Sequence, residues 1–327
     1  MEWIVRRASA STRRSTARIG AVLIALAVLA TACTGGTSDG GSNVATPTAS
    51  TGPQITPVLI DSELVVGENR FTVGLLNEEN EGVTDAQVAL RFFKLHGEQQ
   101  EMRGEAQATP ITLEKSYTHT HEDGTVETHS AGESGVYVAT VRFDEAGQWR
   151  AEVTASVGET AYDPVSLALT VVEEGTSVPV GAPAPRSETL TIDDVDDIAE
   201  IDTSNTPIPE MHTMTIAEAV TSGRPSVIAF ATPAFCLSRF CGPTKEIVDQ
   251  LFGEYRDEAN FVHVEPYEVD RARNGEGLFP VAAMIEWGLR SEPWVFLVDR
   301  EGNIAAKFEA VVTLAELRQA LEPLLRG

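Results

Sequence analysis

Cysteine is scarce in this chain: three in 327 residues, Cys33, Cys236 and Cys241. None falls between Val58 and Val172, so any core built there stands without a disulfide. Positive charge is also short, with 24 Lys and Arg against 49 Asp and Glu. Beyond the first 32 residues, which hold five Arg and one Glu, 19 basic side chains face 48 acidic ones, a net of −29. A surface that acidic repels nucleic acid and anionic lipid headgroups, so nucleic-acid binding is disfavoured. Aromatics make up only 6%. The apolar run near the N-terminus, Ile19–Ala32, falls short of the roughly 20 residues a membrane span needs. What remains is a chain with 42% hydrophobic residues, long enough for two ordinary domains with real cores.

The N-terminus has the layout of an export signal: Arg6, Arg7, Arg13, Arg14 and Arg18, then the short apolar run. The run ends in Leu29-Ala30-Thr31-Ala32-Cys33, which resembles a bacterial lipoprotein signal, although Leu29 lies one place earlier than the usual Leu. That resemblance implies cleavage after residue 32 and a lipid on Cys33. It places the protein at the bacterial cell membrane, lipid-anchored and facing the extracytoplasmic side. Lipidation would consume the odd cysteine, leaving Cys236 and Cys241 as a pair in an oxidising compartment. Thr34–Pro57, made of Gly, Ser, Thr and Pro, reads as a flexible tether over 33–57.

From 58 to 174 short alternating runs are broken by turn signals, as in Val136–Val141 and Trp149–Val153. Eight such strands at this spacing predict an all-β, immunoglobulin-like sandwich. The run from Gly135-Val136-Tyr137 to Ala146-Gly147-Gln148-Trp149 is similar to small β-sandwich domains of bacterial exported proteins, some of them associated with copper. Within this segment Tyr117–His129 carries three histidines around the hairpin turn Asp123-Gly124. Centring the turn there pairs Thr118 with His129, which puts His119 and His121 on one face and His129 on the other. A three-histidine metal site fails in that register, and a bulge would be needed to restore it. His119, His121 and His129 are therefore weak candidates for copper or zinc. Residues 175–206 hold Gly181-Ala182-Pro183-Ala184-Pro185 and an acidic run from Glu188 to Asp202; they read as a solvated linker.

Residues 207–327 carry the chemistry. Val227–Ala231 is a continuous apolar run suited to a buried strand. Thr232–Gly242 is a loop with Cys236 and Cys241, and Pro243 opens a helix with an apolar stripe at Ile247, Val248, Leu251, Phe252 and Tyr255. A helix N-terminus stabilises a thiolate, the reactive form of sulfur. Residues five apart in one helix are separated by about 7.5 Å of rise, too far for a disulfide. A bonded pair would thus need Cys236 to curl back over the helix start. Electrostatics alone favours Cys241, nearer the helix, as the thiolate.

Cys241-Gly242-Pro243 matches the first three residues of the C-G-P-C motif, and here the sequence resembles the thioredoxin superfamily. Thr244 stands where the second cysteine should be, and Cys236 upstream makes the spacing C-x4-C. The resemblance implies an α/β thioredoxin-like fold for 207–327, thiol–disulfide exchange on exported protein thiols or disulfides, and a partner-binding role for Pro293 as a cis-proline. By this comparison Cys236 falls where the attacking cysteine lies, opposite to the electrostatic assignment; both stay open. No cofactor is implied. The alternative is a binding or copper-handling lipoprotein whose cysteine pair is a structural disulfide or a metal site. His263 reads as a strand residue, and Met211-His212-Thr213-Met214 as a packed segment with soft ligand atoms.

Overall fold

A computed structural model describes residues 54–120 and 126–326, with side chains outside 114–134. Residues 50–327 form one compact unit. The N-terminal half consists of β1 (Thr56–Leu59), β2 (Gly67–Leu76), β3 (Gln87–His96), β4 (Gln99–Thr120), β5 (Val126–Phe143), β6 (Gly147–Val157), β7 (Thr160–Ala161) and β8 (Val165–Val171). They belong to one sheet, in the order β1-β2-β5-β4-β3-β6-β7, with β8 also on β6. Val65 bridges Val172, and the sheet thereby curls into a half-barrel whose ends meet.

Alternation explains the curl's interior. Trp149, Ala151, Val153 and Ala155 of β6 are buried, as are Phe71, Val73 and Leu75 of β2 and Val88, Leu90 and Phe92 of β3. Side chains two apart share a face, so each strand contributes one apolar row to one core. Phe143 lies edge-on between Phe92 and Trp149, at ring separations of 5.6 and 5.0 Å.

The second half adds α1 (Ile216–Thr221), β9 (Ser226–Phe230), α2 (Cys241–Tyr255), β10 (Asn260–Val264), α3 (Val269–Arg273), α4 (Ala282–Glu286), β11 (Trp294–Val298), β12 (Ile304–Glu309) and α5 (Leu314–Arg326). The four strands form a small sheet, β10-β9-β11-β12, in which only β10 and β9 run parallel. β9, β10 and β11 are buried at every residue. Their lack of alternation is what burial on both faces requires. Among the described residues no helix is long and apolar enough to cross a membrane.

The expected class, an immunoglobulin-like sandwich followed by an α/β thioredoxin-like fold, needs correction. The chain is mostly β, with 38% strand and 20% helix, and shows a curled half-barrel and a second small sheet without a clear α/β thioredoxin fold. Two physical reasons account for it. β4 and β5 are 22 and 18 residues long and pair along most of their length, so the strands stay in one ladder rather than dividing between two sheets. Three of the five helices have only five or six residues, so one face of the small sheet is covered by short helices together with loop residues such as Tyr267, Trp287 and Leu289 rather than by full-length helices.

The stretch expected as a linker is folded against this framework. Gly181 and Ala184 donate to Ile304 and Gly302, and Ser177, Ser187 and Asp202 are buried. Gly288 takes φ 67°, and a Cβ there would lie 1.8 Å from the Thr176 carbonyl oxygen, so only glycine fits. Where the halves meet, Ile111, Leu113 and Val136 of the long strands pack with Phe240 and Val311. Phe240 immediately precedes Cys241, so the half-barrel buttresses the cysteine loop.

Candidate functional site

The loop from Ala231 to Phe240 joins β9 to α2, and it brings Cys236 back to the helix start. Arg239 helps it turn by taking φ 69°, a left-handed conformation costing a non-glycine residue about 1–2 kcal/mol. α2 begins at Cys241, two residues before the proline, and no side chain of its N-cap Phe240 satisfies the exposed N–H groups. The Cys236 sulfur does so instead: the Cys241 N–H donates to Cys236 Sγ at 3.2 Å. Helix ends leave such donors unpaired, and their positive field favours an anion.

Both cysteines are free thiols. Cys236 is half-buried, whereas Cys241 is buried completely. Their sulfurs and a Glu292 carboxylate oxygen lie within 4.8 Å of one another. The hydrogen bond from the Cys241 thiol, with smaller help from Ser238 and the Cys241 N–H, pulls the Cys236 thiol down to about 6, against partial burial and the charge of Glu292. Burial pushes the Cys241 thiol far up, and its bond to Cys236 adds to that. Position therefore separates the two sulfurs, one an accessible thiolate and the other a buried thiol.

Glu292 organises the opposite wall. It is 3% exposed, yet its carboxylate accepts the Leu237 N–H and the Tyr267 hydroxyl, each at 2.7 Å. Its carbonyl accepts the Ser238 hydroxyl at 2.8 Å. Pro293 follows through a cis peptide bond and immediately precedes β11; its carbonyl accepts the Ala310 N–H. Thr244 is buried and donates to the Ala310 carbonyl at 2.7 Å, a packing role rather than a redox one.

Other expected residues fall elsewhere. Cys33 and His121 lie outside the described residues. His119 and His129 sit in β4 and β5, where the backbone register pairs Tyr117, not Thr118, with His129, and His119 with Glu127. The observed register is shifted by one residue from the expected pairing. His263 is a buried β10 residue as expected, but it meets His212 and Asp202. The sequence held no signal that singled out Asp202 from the acidic run.

No protein-family model matches the chain, and no curated protein matches it.

Proposed function

We propose that this protein carries out thiol–disulfide exchange through Cys236 and Cys241, acting on exported proteins while held at the membrane by a lipid on Cys33. The observation that carries this reading is the unlike pair of free sulfurs at the start of α2, one half-exposed and hydrogen-bonded by a helix N–H, the other buried behind it. A structural disulfide needs no such asymmetry.

In the reductive direction the Cys236 thiolate attacks one sulfur of a partner disulfide. A Cys236–partner bond forms, the partner's S–S bond breaks, and the second partner sulfur leaves as a thiolate. Cys241 then loses its proton and attacks Cys236. The Cys236–Cys241 bond forms, the mixed disulfide breaks, and the pair has given two electrons to the partner. Cys241 needs a proton acceptor for this step, and Glu292 is the buried carboxylate in position. Pro293, adjoining it, borders the place where the partner's chain would lie. The reverse sequence oxidises a partner dithiol.

The reduction potential of the pair, from equilibration with glutathione, tests the reading. A value above about −300 mV supports exchange; one well below it marks a structural bridge and overturns the proposal.

A further inference from the structure

A second cluster, unrelated to the cysteines in composition, lies beneath a cleft of about 540 Å³ lined by His212, His263, Glu265 and Glu268. Asp202 Oδ2 is 3.1 Å from His212 Nε2 and 3.4 Å from His263 Nδ1, and those two nitrogens are 3.4 Å apart. All three side chains are buried, at 1–2% exposure. They come from distant elements: the stretch before α1, the short 3-10 turn Pro209–His212, and β10.

The hydrogen bonds around this trio fix what points inward. His263 Nε2 lies 2.9 Å from the Ala231 carbonyl, which can only accept, so that nitrogen carries the proton. In the neutral ring Nδ1 then holds a lone pair that faces both Asp202 Oδ2 and His212 Nε2, so the inward side of the ring offers a ligand atom. Asp202 is oriented in turn: its Oδ1 accepts the Ser204 N–H at 2.8 Å, leaving Oδ2 for the rings. The buried Lys245 ammonium donates to Asp249 at 2.6 Å, and its charge also favours the Asp202 carboxylate. His263 and Asp202 each have an outer partner, the arrangement by which proteins position metal-binding histidines and carboxylates.

The spacing also fits. Ligands about 2.0–2.1 Å from a tetrahedral ion stand about 3.3 Å from one another, against 3.1 to 3.4 Å here. Three protein ligands would leave the fourth position to the cleft. Glu265, 5% exposed, lines that cleft, with Oε1 held by Thr203 and the Thr232 side chain also acting on its carboxylate.

We propose that Asp202, His212 and His263 form a binding site for a transition metal of the zinc class, with an open coordination position facing the cleft beside Glu265. Two imidazoles and a carboxylate suit such ions, whereas calcium and magnesium prefer oxygen ligands throughout. The site is independent of the thiol chemistry proposed above. Its only connection is spatial: the Ala231 carbonyl holds His263, and the next residue, Thr232, hydrogen-bonds Cys241 through its backbone.

Cobalt(II) titration of the chelator-treated full chain in detergent is the test, run on the native sequence and three variants. One equivalent should bind to the native chain. It should also bind to the Cys236→Ser/Cys241→Ser variant and to the His119→Ala/His121→Ala/His129→Ala variant. Binding to His263→Ala should weaken by more than the roughly 10–100-fold that loss of an outer partner costs. No binding by the native chain, or loss on removing the cysteines or hairpin histidines, overturns the proposal. If His263→Ala fails to fold, X-ray absorption of the native chain with one zinc decides. A shell of nitrogen and oxygen near ~2.0–2.1 Å supports the site, and sulfur near ~2.3 Å contradicts it.

Discussion

The backbone N–H of Cys241 donates to the sulfur of Cys236 at 3.2 Å, so the first amide of α2 is capped by a cysteine five residues upstream. A helix whose N-cap offers no side-chain acceptor would otherwise leave that donor unsatisfied. The same bond stabilises negative charge on Cys236.

Alkylation should follow this asymmetry. Cys236 is expected to gain reactivity through a midpoint near pH 6 and to level off above it, with Cys241 silent throughout in the folded protein. The folded value lies below the ordinary thiol value, so the Cys236 contribution to stability is complete only above about pH 9. It is lost as pH falls through about 6. Mass spectrometry after timed iodoacetamide labelling at each pH checks both residues. Equal labelling of the two would contradict the geometry.

Glu292→Gln separates charge from packing. The neutral amide keeps an oxygen for the Leu237 N–H but removes the negative charge that raises both thiols. The Cys236 midpoint should therefore move down. Resolution of a preformed Cys236 mixed disulfide should slow on the order of 100-fold, the scale of losing a positioned base. Stopped-flow release of a chromogenic thiol measures the second effect, and an unchanged release rate would remove Glu292 from the mechanism.

Asp61 should make the protein less stable as pH rises. Burial, with the charge of Glu309 also acting, pushes its carboxyl up to about 8, despite the Thr72 N–H at 2.6 Å. Its contribution is intact below about pH 4 and is lost progressively up to about pH 8. Asp61→Asn should flatten that slope in thermal melts; a parallel slope in both proteins would show that another group is responsible.

The half-barrel core and the folded 175–206 stretch give two stability tests. Trp149→Ala removes a buried ring whose Nε1 donates to the Glu145 carbonyl at 3.0 Å, and should cost about 3–5 kcal/mol in urea unfolding. Gly288→Ala forces a Cβ against the Thr176 carbonyl and should cost at least ~2 kcal/mol. A neutral Gly288→Ala would mean that the Thr176 segment moves freely.

Much of the strand content was legible because alternation and unbroken apolar runs report burial directly. Gln99–Pro110 was not: its glutamines, glutamates and small residues carry no apolar row, yet β3 pairs with Gln99–Ala108. That missing piece turned separate short strands into one curled sheet. At the site, the spacing asked for a loop that returns to the helix only if Cys236 and Cys241 were bonded; the loop returns with both thiols free. Electrostatics on sequence distance favoured Cys241, but helix N–H groups point outward from the helix end. The residue they face precedes the helix, while the residue that begins it is buried. Asp202 was hidden for a different reason: in a run of carboxylates, only packing shows which one turns inward.

The central claim is that Cys236 attacks and Cys241 resolves. Expressing Cys241→Ser and Cys236→Ser chains in a cell that exports them, then quenching with acid and separating without reductant, tests it most directly. Cys241→Ser should carry mixed disulfides with exported proteins, and Cys236→Ser should carry none. Adducts on Cys236→Ser, or on neither variant, would contradict it.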